Sequence, residues 1–450
     1  MDNRRQKLKD ERLGHGLGDV NGLSWPYFSN EFIREQVLVI EEADKKILRE
    51  LAKSVAEIAA SPEQDQKRKL WEMHNGLLET TPLIFCDPER AWYEILPATS
   101  LQCQGALARI WEFRLRKEKY WAEIIRDDRV CTPEFTIQYI FSETSRGKET
   151  KIIGGSSDGA YRWQPPITEY NEVDELQFKK IIINYQKTDR LLRLAQDVFS
   201  GLLEVRLEGI YWWSFGMTSD LILLRGFEQV LMDMYDNPAG LHKLMAFLRD
   251  ENMAKLSFLE DSGLLSLNNL GGYVGTGGYG WTTELPSSEF NGKHVHLMDM
   301  WGYAESQETV DVSPEFFKEY IFPYQNSILQ RFGLNIYGCC EPLESRWEVI
   351  RSIPRLRRVT VSPWSETAYM AEVLGKNYVY CRKINPAYMA IPVMDEDSAR
   401  SELRDTFYAT KNHGCPAEVM LRDVMTLSWN PKNAINWTML ARKEATRIYG

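Results

Sequence analysis

The sequence predicts an α/β protein built as a (β/α)8 TIM barrel, with an N-terminal helical extension and an insertion between the first two barrel strands. Two observations lead to this fold. Short apolar runs alternate with amphipathic helices along most of the 450 residues, as in parallel strands joined by helices. About eight strand–helix units can be counted, and that number favours a closed barrel over an open sheet.

The elements follow in order along the chain. Residues 1–75 form the predicted helical extension, because apolar residues recur at helical spacing between 31 and 60. Residues 76–450 form the predicted barrel, interrupted by an insertion over about residues 126–190 that is rich in Pro and Gly. The candidate strands are 82–86, 205–213, 264–268, 295–301, 334–338, 358–362, 378–382 and 418–422.

Composition and charge argue against several classes of protein. The formal net charge is −10 and no dense block of Lys and Arg occurs, so a nucleic-acid partner is not expected. The charged N-terminus lacks the apolar core of a signal peptide, and no run reaches the roughly 20 apolar residues of a membrane span. Seven scattered cysteines do not suggest a disulfide framework. We therefore expect a cytoplasmic protein with reduced thiols and no membrane partner.

Thiols and a carboxylate follow the predicted strand at 334–338. Reacting groups of a barrel come from the carboxyl ends of its strands, and Cys339, Cys340 and Glu341 follow such an end directly. Strand alternation would point Cys339 and Glu341 the same way. Thiolates and carboxylates bind zinc, so these three residues are predicted metal ligands and zinc is the candidate cofactor. The alternative is structural, since a free cysteine is often a small buried apolar residue.

Three carboxylates near predicted strand ends are candidates for acid–base catalysis. Asp299 and Glu305 lie at and beyond the end of the predicted strand 295–301, and Asp423 follows the last strand. A carboxyl group at the mouth of a barrel can give a proton to a leaving group or take one from a substrate. We therefore predict Asp299, Glu305 and Asp423 as the catalytic residues.

Two kinds of side chain are predicted to bind substrate. Guanidinium and amide groups at strand ends suit an anionic substrate group, although a structural ion pair is the alternative for each arginine. Aromatic rings at strand ends could wall a flat apolar pocket, with ordinary core packing as the alternative. The predicted substrate-binding residues are Trp213, Trp301, Tyr303, Trp364, Arg382, Asn385 and Arg422.

The stretch from Trp301 to Trp364 resembles the uroporphyrinogen decarboxylase-like proteins of anaerobic bacteria. The motif Tyr-Gly-Cys-Cys-Glu-Pro at 337–342 carries most of the resemblance, and the segments 382–386 and 421–426 extend it. The similarity runs from about residue 70 to the C-terminus. It implies a barrel with its cleft at the carboxyl ends of the strands.

The uroporphyrinogen decarboxylase superfamily contains cofactor-free decarboxylases and zinc-dependent methyltransferases that serve corrinoid proteins or a thiol acceptor. In the methyltransferases, a His-x-Cys pair and a later cysteine bind zinc. Cys339 matches the cysteine of the pair, whereas Tyr337 stands in the place of the histidine. The resemblance therefore implies an altered zinc shell, completed by Glu341, Cys340 or Glu305.

These observations favour a methyltransferase of anaerobic metabolism. It would pass a methyl group from a small methylated substrate, such as a methoxylated aromatic or a methylamine-like compound, to the Co(I) of a separate corrinoid protein. Zinc at Cys339 and Glu341 would act as a Lewis acid. One alternative is a metal-free decarboxylase or lyase that holds carboxylates with Arg382 and Arg422. Another is a corrinoid- or tetrapyrrole-binding module without chemistry. The oligomeric state stays open, a homodimer being one option.

Overall fold

The computed structural model describes residues 37–154, 161–209 and 214–450. Within these residues the strands are β1 (Leu83–Cys86), β2 (Glu134–Gln138), β3 (Phe141–Glu143), β4 (Lys151–Gly154), β5 (Tyr161–Gln164), β6 (Ile181–Ile183), β7 (Glu204–Glu208), β8 (Trp301–Ala304), β9 (Leu334–Tyr337), β10 (Leu356–Val361), β11 (Val379–Lys383) and β12 (Ala417–Leu421). The longer helices are α1 (Glu42–Ala59), α2 (Pro62–Asn75), α3 (Ala106–Tyr120), α4 (Tyr185–Phe199), α5 (Thr218–Arg225), α6 (Phe227–Asp236), α7 (Pro238–Asp261), α8 (Phe322–Leu329), α9 (Thr367–Leu374), α10 (Glu396–His413) and α11 (Lys432–Tyr449).

The main sheet has six parallel strands in the order β1-β12-β11-β10-β9-β8. Strands β1, β8, β9, β11 and β12 are buried throughout their length, which matches the continuous apolar runs in the sequence. Ala304 pairs with Tyr337, and Lys383 pairs with Met420. This register places the carboxyl ends of the strands along one edge of the sheet. The prediction of an α/β protein with a parallel sheet is confirmed.

A continuous eight-stranded barrel ladder is not found in the described residues. The segment predicted as a strand at 264–268 has no strand hydrogen bonds. Instead, the Asn268 side chain accepts from the Trp301 amide at 2.9 Å and donates to the Trp301 carbonyl at 3.0 Å. At the other edge, the Asp128 amide donates to the Ile84 carbonyl and the Asp128 carboxylate accepts from the Ile84 amide. Isolated side-chain and backbone hydrogen bonds therefore cover both edges of the six-stranded sheet where a barrel would continue its backbone ladder.

The predicted insertion contains a parallel strand, β2, that the sequence analysis did not assign. Strand β2 shows period-two burial, with Phe135 and Ile137 buried, and it pairs with β7 in a separate two-stranded sheet. After β2 come two antiparallel pairs, β3 with β6 and β4 with β5. The predicted strand at 205–213 corresponds to β7, and its residues 210–213 lie outside the described part of the chain.

The C-terminal end of helix α2 contacts buried side chains of β10 and β12 in the main sheet. His74 Nε2 lies 3.0 Å from Glu418 Oε2, and the Arg358 guanidinium donates to the Asn75 side chain at 2.6 Å. Arg358 Nε and Glu418 Oε1 are 3.2 Å apart, and both residues are fully buried. This network joins α2 to β10 and β12 below the site described next. No helix among the described residues is long and apolar enough to span a membrane.

Candidate functional site

The carboxyl ends of β9, β11 and β12 bring together two thiols, an ammonium group and a carboxylate. We call Cys339, Cys340, Lys383 and Asp423 the thiol cluster. Cys339 and Cys340 follow β9, Lys383 is the last residue of β11, and Asp423 follows β12. Because the ends of parallel strands meet at one edge of a sheet, residues far apart in sequence become neighbours there.

The backbone turns sharply between β9 and the two thiols. Gly338 has φ +100°, a conformation that side chains other than glycine rarely adopt. A Cβ atom at Gly338 would lie 2.9 Å from Leu343 Cδ1 and 3.0 Å from the Thr360 carbonyl oxygen. This turn leaves Cys339 buried and Cys340 partly exposed, with their Sγ atoms 3.6 Å apart.

Lys383 provides the positive charge of the cluster. Its Nζ atom lies 3.0 Å from Cys340 Sγ and 3.7 Å from Cys339 Sγ, and it forms an ion pair with Asp423. Asp423 Oδ2 also lies 3.6 Å from Cys340 Sγ. The Lys383 side chain is almost fully buried, whereas the Asp423 side chain is 48% exposed. The cluster therefore opens to solvent on the side of Asp423.

Contacts within the cluster separate the protonation states of the two thiols. The hydrogen bond with Cys339 and the ammonium group of Lys383 lower the pKa of Cys340 overall, against burial and the negative charge of Asp423, which raise it. The same hydrogen bond and burial raise the pKa of Cys339 well above its usual value. Burial opposes the charge of Lys383, but the thiols and Asp423 raise its pKa overall. Cys340 is therefore the sulfur that ionises first.

A second layer holds the last strand end in place. Arg422 Nε donates to Glu89 Oε1 at 2.9 Å, and the Asp423 amide donates to Glu89 Oε2 at 2.7 Å. Arg422 also donates to the Thr276 carbonyl and lies 4.8 Å above the Tyr273 ring. The sequence analysis missed Glu89, which follows β1. In the structure, Arg422 is occupied by a carboxylate of the protein itself.

The predicted metal ligands do not form one donor set. The Glu341 carboxylate accepts from the Ser306 amide at 2.8 Å and from the Cys339 amide at 3.0 Å, and so it holds the backbone. The ammonium group of Lys383 lies between the two sulfurs and Asp423, and so it occupies the position that a metal ion bound to these groups would take. Among the described residues, no three His, Cys, Asp or Glu side chains are placed to hold a metal ion. The residues present do not fit the predicted zinc site.

Glu305 is the carboxyl group beyond the end of β8. It is buried, its Oε1 accepts from the Ser214 hydroxyl at 3.1 Å, and its Oε2 accepts from the Gln307 amide at 3.0 Å. Burial, together with the negative charges of Glu308 and Glu341, raises its pKa well above the usual value. Glu305 therefore keeps its proton to a higher pH than an ordinary glutamic acid does. Since Glu341 bridges the Ser306 and Cys339 amides, the Glu305 segment adjoins the thiols.

Two predicted residues lie at the opposite end of β8 from Glu305. Asp299 precedes this strand, and its carboxylate accepts from the Ser287 hydroxyl at 2.6 Å and the His296 amide at 2.8 Å. Trp301 is the first residue of β8, fully buried, and its indole N–H donates to the Gly280 carbonyl. The strand begins later than predicted, so both residues lie at its amino end, away from the thiols.

The other predicted substrate-binding residues divide by the face of the strand. Arg382 points away from Lys383 and donates to Glu402 of α10 at 2.8 Å and to the Ser362 carbonyl. Asn385 caps a helical turn by accepting from the Ala387 amide. The exposed Trp364 lies beyond β10. The Tyr303 hydroxyl donates to the Gly338 carbonyl at 3.2 Å, and Trp213 lies outside the described residues.

Lys383 is the residue of the site that the sequence analysis missed. It follows Arg382, and alternation along β11 puts the two side chains on opposite faces. Arg382 reaches α10, so Lys383 lies on the opposite face of β11, the face of the thiols. Cys381 shares this face, and its Sγ lies 3.8 Å from Met420 Sδ. The signal was present, because period-two alternation applies to the last residue of a strand as well.

A cavity of about 360 Å³ lies beside β2 and β7. Glu134 and Glu208 line it, and one carboxylate oxygen of each is buried without a hydrogen-bond partner. Among the described residues that form its wall, none belongs to the thiol cluster. Tyr273 lies in the wall and contacts Arg422 with its ring, so one aromatic side chain connects the cavity to the second layer of the cluster.

The fold and the site define an α/β protein with a thiol–lysine–carboxylate cluster at the carboxyl ends of parallel strands. A comparison with solved structures aligns it with a methyltransferase from Methanosarcina mazei, with a TM-score of 0.46 and 8% sequence identity over 84% of this chain and 97% of that chain. No family model and no curated protein matches the chain. A similarity this distant carries no argument about activity, and the function is argued from the site.

Proposed function

We propose that this protein is a methyltransferase that takes a methyl group from a small methylated compound at the carboxyl ends of its parallel strands. The observation that carries the proposal is Glu305, a buried carboxyl group with a raised pKa next to the segment that holds the thiols. A methyl group bound to oxygen or nitrogen leaves its heteroatom readily only if that atom gains a proton or another electrophile. A carboxyl group that keeps its proton to a higher pH than usual can supply it.

In this proposal the acceptor is the Co(I) of a corrinoid carried by a separate protein, which takes up the methyl group. The chain's own residues bind the donor, exclude water and deliver the proton. Glu305 holds that proton while the Ser214 hydroxyl and the Gln307 amide fix its carboxyl group. The barrel of the sequence analysis belongs to the proposal too, because the carboxyl ends of the six parallel strands lie along one edge of the sheet, as a barrel requires.

The alternative of a decarboxylase or lyase has less support from the geometry. That reaction was assigned to Arg382 and Arg422 as the holders of substrate carboxylates. Both guanidinium groups are engaged with carboxylates of the chain, Arg382 with Glu402 and Arg422 with Glu89. An arginine that is already paired must give up that partner before it can bind a substrate carboxylate.

The test is an anaerobic assay with chemically reduced cobalamin as the acceptor. A methoxylated aromatic, methanol and trimethylamine serve as donors, and the loss of Co(I) absorbance reports transfer. We expect turnover with one donor class and a strong loss in Glu305→Gln. The matched control is Glu289→Gln, which alters an exposed glutamate. Decarboxylation of a porphyrinogen in a parallel assay, with no methyl transfer, would replace the proposal with the lyase.

A further inference from the structure

The sulfur of Cys340 has an unusual set of partners that the proposed function does not yet use. Lys383 Nζ lies at 3.0 Å, while Cys339 Sγ and Asp423 Oδ2 each lie at 3.6 Å. A cation next to a sulfur atom favours its anionic form, which is the nucleophilic form of a cysteine. The Asp423 carboxylate opposes that form, and the nearer ammonium group of Lys383 offsets it. These contacts come from three different strand ends, so the fold assembles them.

We propose that Cys340 is the nucleophile of this site, whose sulfur takes the methyl group from the substrate and passes it to the acceptor. This inference rests on the proposed methyl transfer and adds a covalent intermediate to it. Lys383 and Cys339 are then positioning residues, because they act through the Cys340 sulfur.

Exposure distinguishes Cys340 from the other cysteines. Cys339 is buried against the turn at Gly338, and its Sγ atom lies 3.6 Å from that of Cys340. Within the described part of the chain, Cys340 is the one cysteine that is partly exposed, and the rest are buried. A substrate that enters past the half-exposed Asp423 therefore meets the Cys340 sulfur first.

Lys383 places a positive charge where the sequence analysis placed zinc. A metal ion lowers the pKa of its thiol ligands by placing positive charge beside the sulfur. The ammonium group of Lys383 supplies that charge here, among the same sulfurs and next to Asp423. Binding of zinc to both thiols would require the ammonium group to leave its buried position. The position of the ammonium group thus argues against the predicted metal shell and for a thiolate supported by lysine.

The two steps balance without any further reagent. In the first, an electron pair of the Cys340 thiolate forms the S–CH₃ bond, the bond from the methyl carbon to the substrate heteroatom breaks, and the heteroatom takes the Glu305 proton. In the second, an electron pair of the acceptor forms a bond to the methyl carbon and the S–C bond breaks. The thiolate returns beside Lys383, and Glu305 regains a proton from water.

The experiment measures alkylation of the full-length protein under anaerobic, reducing conditions. Limiting iodoacetamide and, separately, methyl iodide are the probes, and peptide mass spectrometry locates the label. The test variants are Cys340→Ser, Lys383→Met and Lys383→Arg. The matched controls are Cys415→Ser at a buried cysteine and Lys376→Met at an exposed lysine. Circular dichroism verifies that each variant folds.

We expect Cys340 to be labelled first, with Lys383→Met slowing the reaction about tenfold or more and Lys383→Arg retaining most of the rate. The methylated protein should then lose its methyl mass to reduced cobalamin. Equal labelling rates in Lys383→Met and wild type, or full methyl transfer by Cys340→Ser, would overturn the inference while leaving the methyltransferase intact. Fast Cys340 labelling without transfer from any donor would instead remove the proposed function.

Discussion

The Nζ atom of Lys383 lies 3.0 Å from the Sγ atom of Cys340, although 43 positions separate the two residues in the chain. Lys383 ends β11 and Cys340 follows β9, and β10 lies between these strands in the sheet. The lysine side chain therefore reaches across one strand to place its charge next to a thiol. This contact determines what the site can do.

The first prediction concerns metal. Because Lys383 already lies among the sulfurs of Cys339 and Cys340, we expect protein purified anaerobically to contain far less than one zinc per chain. Methyl transfer should be unchanged after treatment with a chelator. Elemental analysis and the cobalamin assay, before and after chelation, measure both quantities. One zinc per chain, with activity that is lost on chelation and regained with zinc, would restore the predicted metal site.

The second prediction concerns Glu305 and pH. Burial, with Glu308 and Glu341, raises the pKa of Glu305 in the folded protein. A carboxyl group with a raised pKa stabilises the fold at pH below its unfolded pKa of about 4.3 and loses that contribution as the pH rises toward the folded value. The unfolding free energy of wild type should therefore fall with pH relative to Glu305→Gln, by up to about 1.4 kcal/mol per pH unit. Urea denaturation between pH 5 and pH 9 measures it, and a wild-type curve parallel to that of Glu305→Gln would contradict it.

The third prediction tests the hydrogen bond between the two thiols. The Cys339 S–H group is the largest influence that lowers the pKa of Cys340. Cys339→Ala removes this donor, so alkylation of Cys340 should slow about threefold to tenfold at neutral pH. Cys339→Ser keeps an O–H donor and should recover much of the rate. If the two variants react alike, Cys339 contributes packing and not a hydrogen bond.

The fourth prediction concerns stability. Glu418 is buried between Arg358 at 3.2 Å and His74 at 3.0 Å. Its replacement by alanine leaves the Arg358 charge buried without its carboxylate, which should cost about 3–5 kcal/mol of unfolding free energy. Chemical denaturation measures the loss. Glu372→Ala, at an exposed position of α9, is the control and should change the value by less than about 0.5 kcal/mol.

Five of the six strands of the main sheet were predictable to within about two residues, whereas β8 begins at Trp301 and not at residue 295. Buried parallel strands are continuous apolar runs, such as those that became β9 and β12, and such runs stand out in a sequence. Strand β2 was missed because its short alternating pattern lies in a Pro- and Gly-rich stretch. The segment at 264–268 was predicted to be a strand, but the side chain of Asn268, and not a strand backbone, bonds to the Trp301 backbone there. Whether side chains or backbone close a sheet edge depends on distant partners.

The sequence by itself determined that Cys339 and Cys340 follow a buried parallel strand, and that an acid at Glu305 and a carboxylate at Asp423 follow others. Local apolar patterns and the direction of parallel strands suffice for that. Only the tertiary structure decided that Lys383 faces the thiols while Arg382 turns to Glu402, and that Glu341 holds backbone amides. The physical reason is that an ion pair or hydrogen bond forms only between groups in direct contact. It depends on which side chains meet within a few ångströms across neighbouring strands, and the order of residues along the chain does not contain that distance.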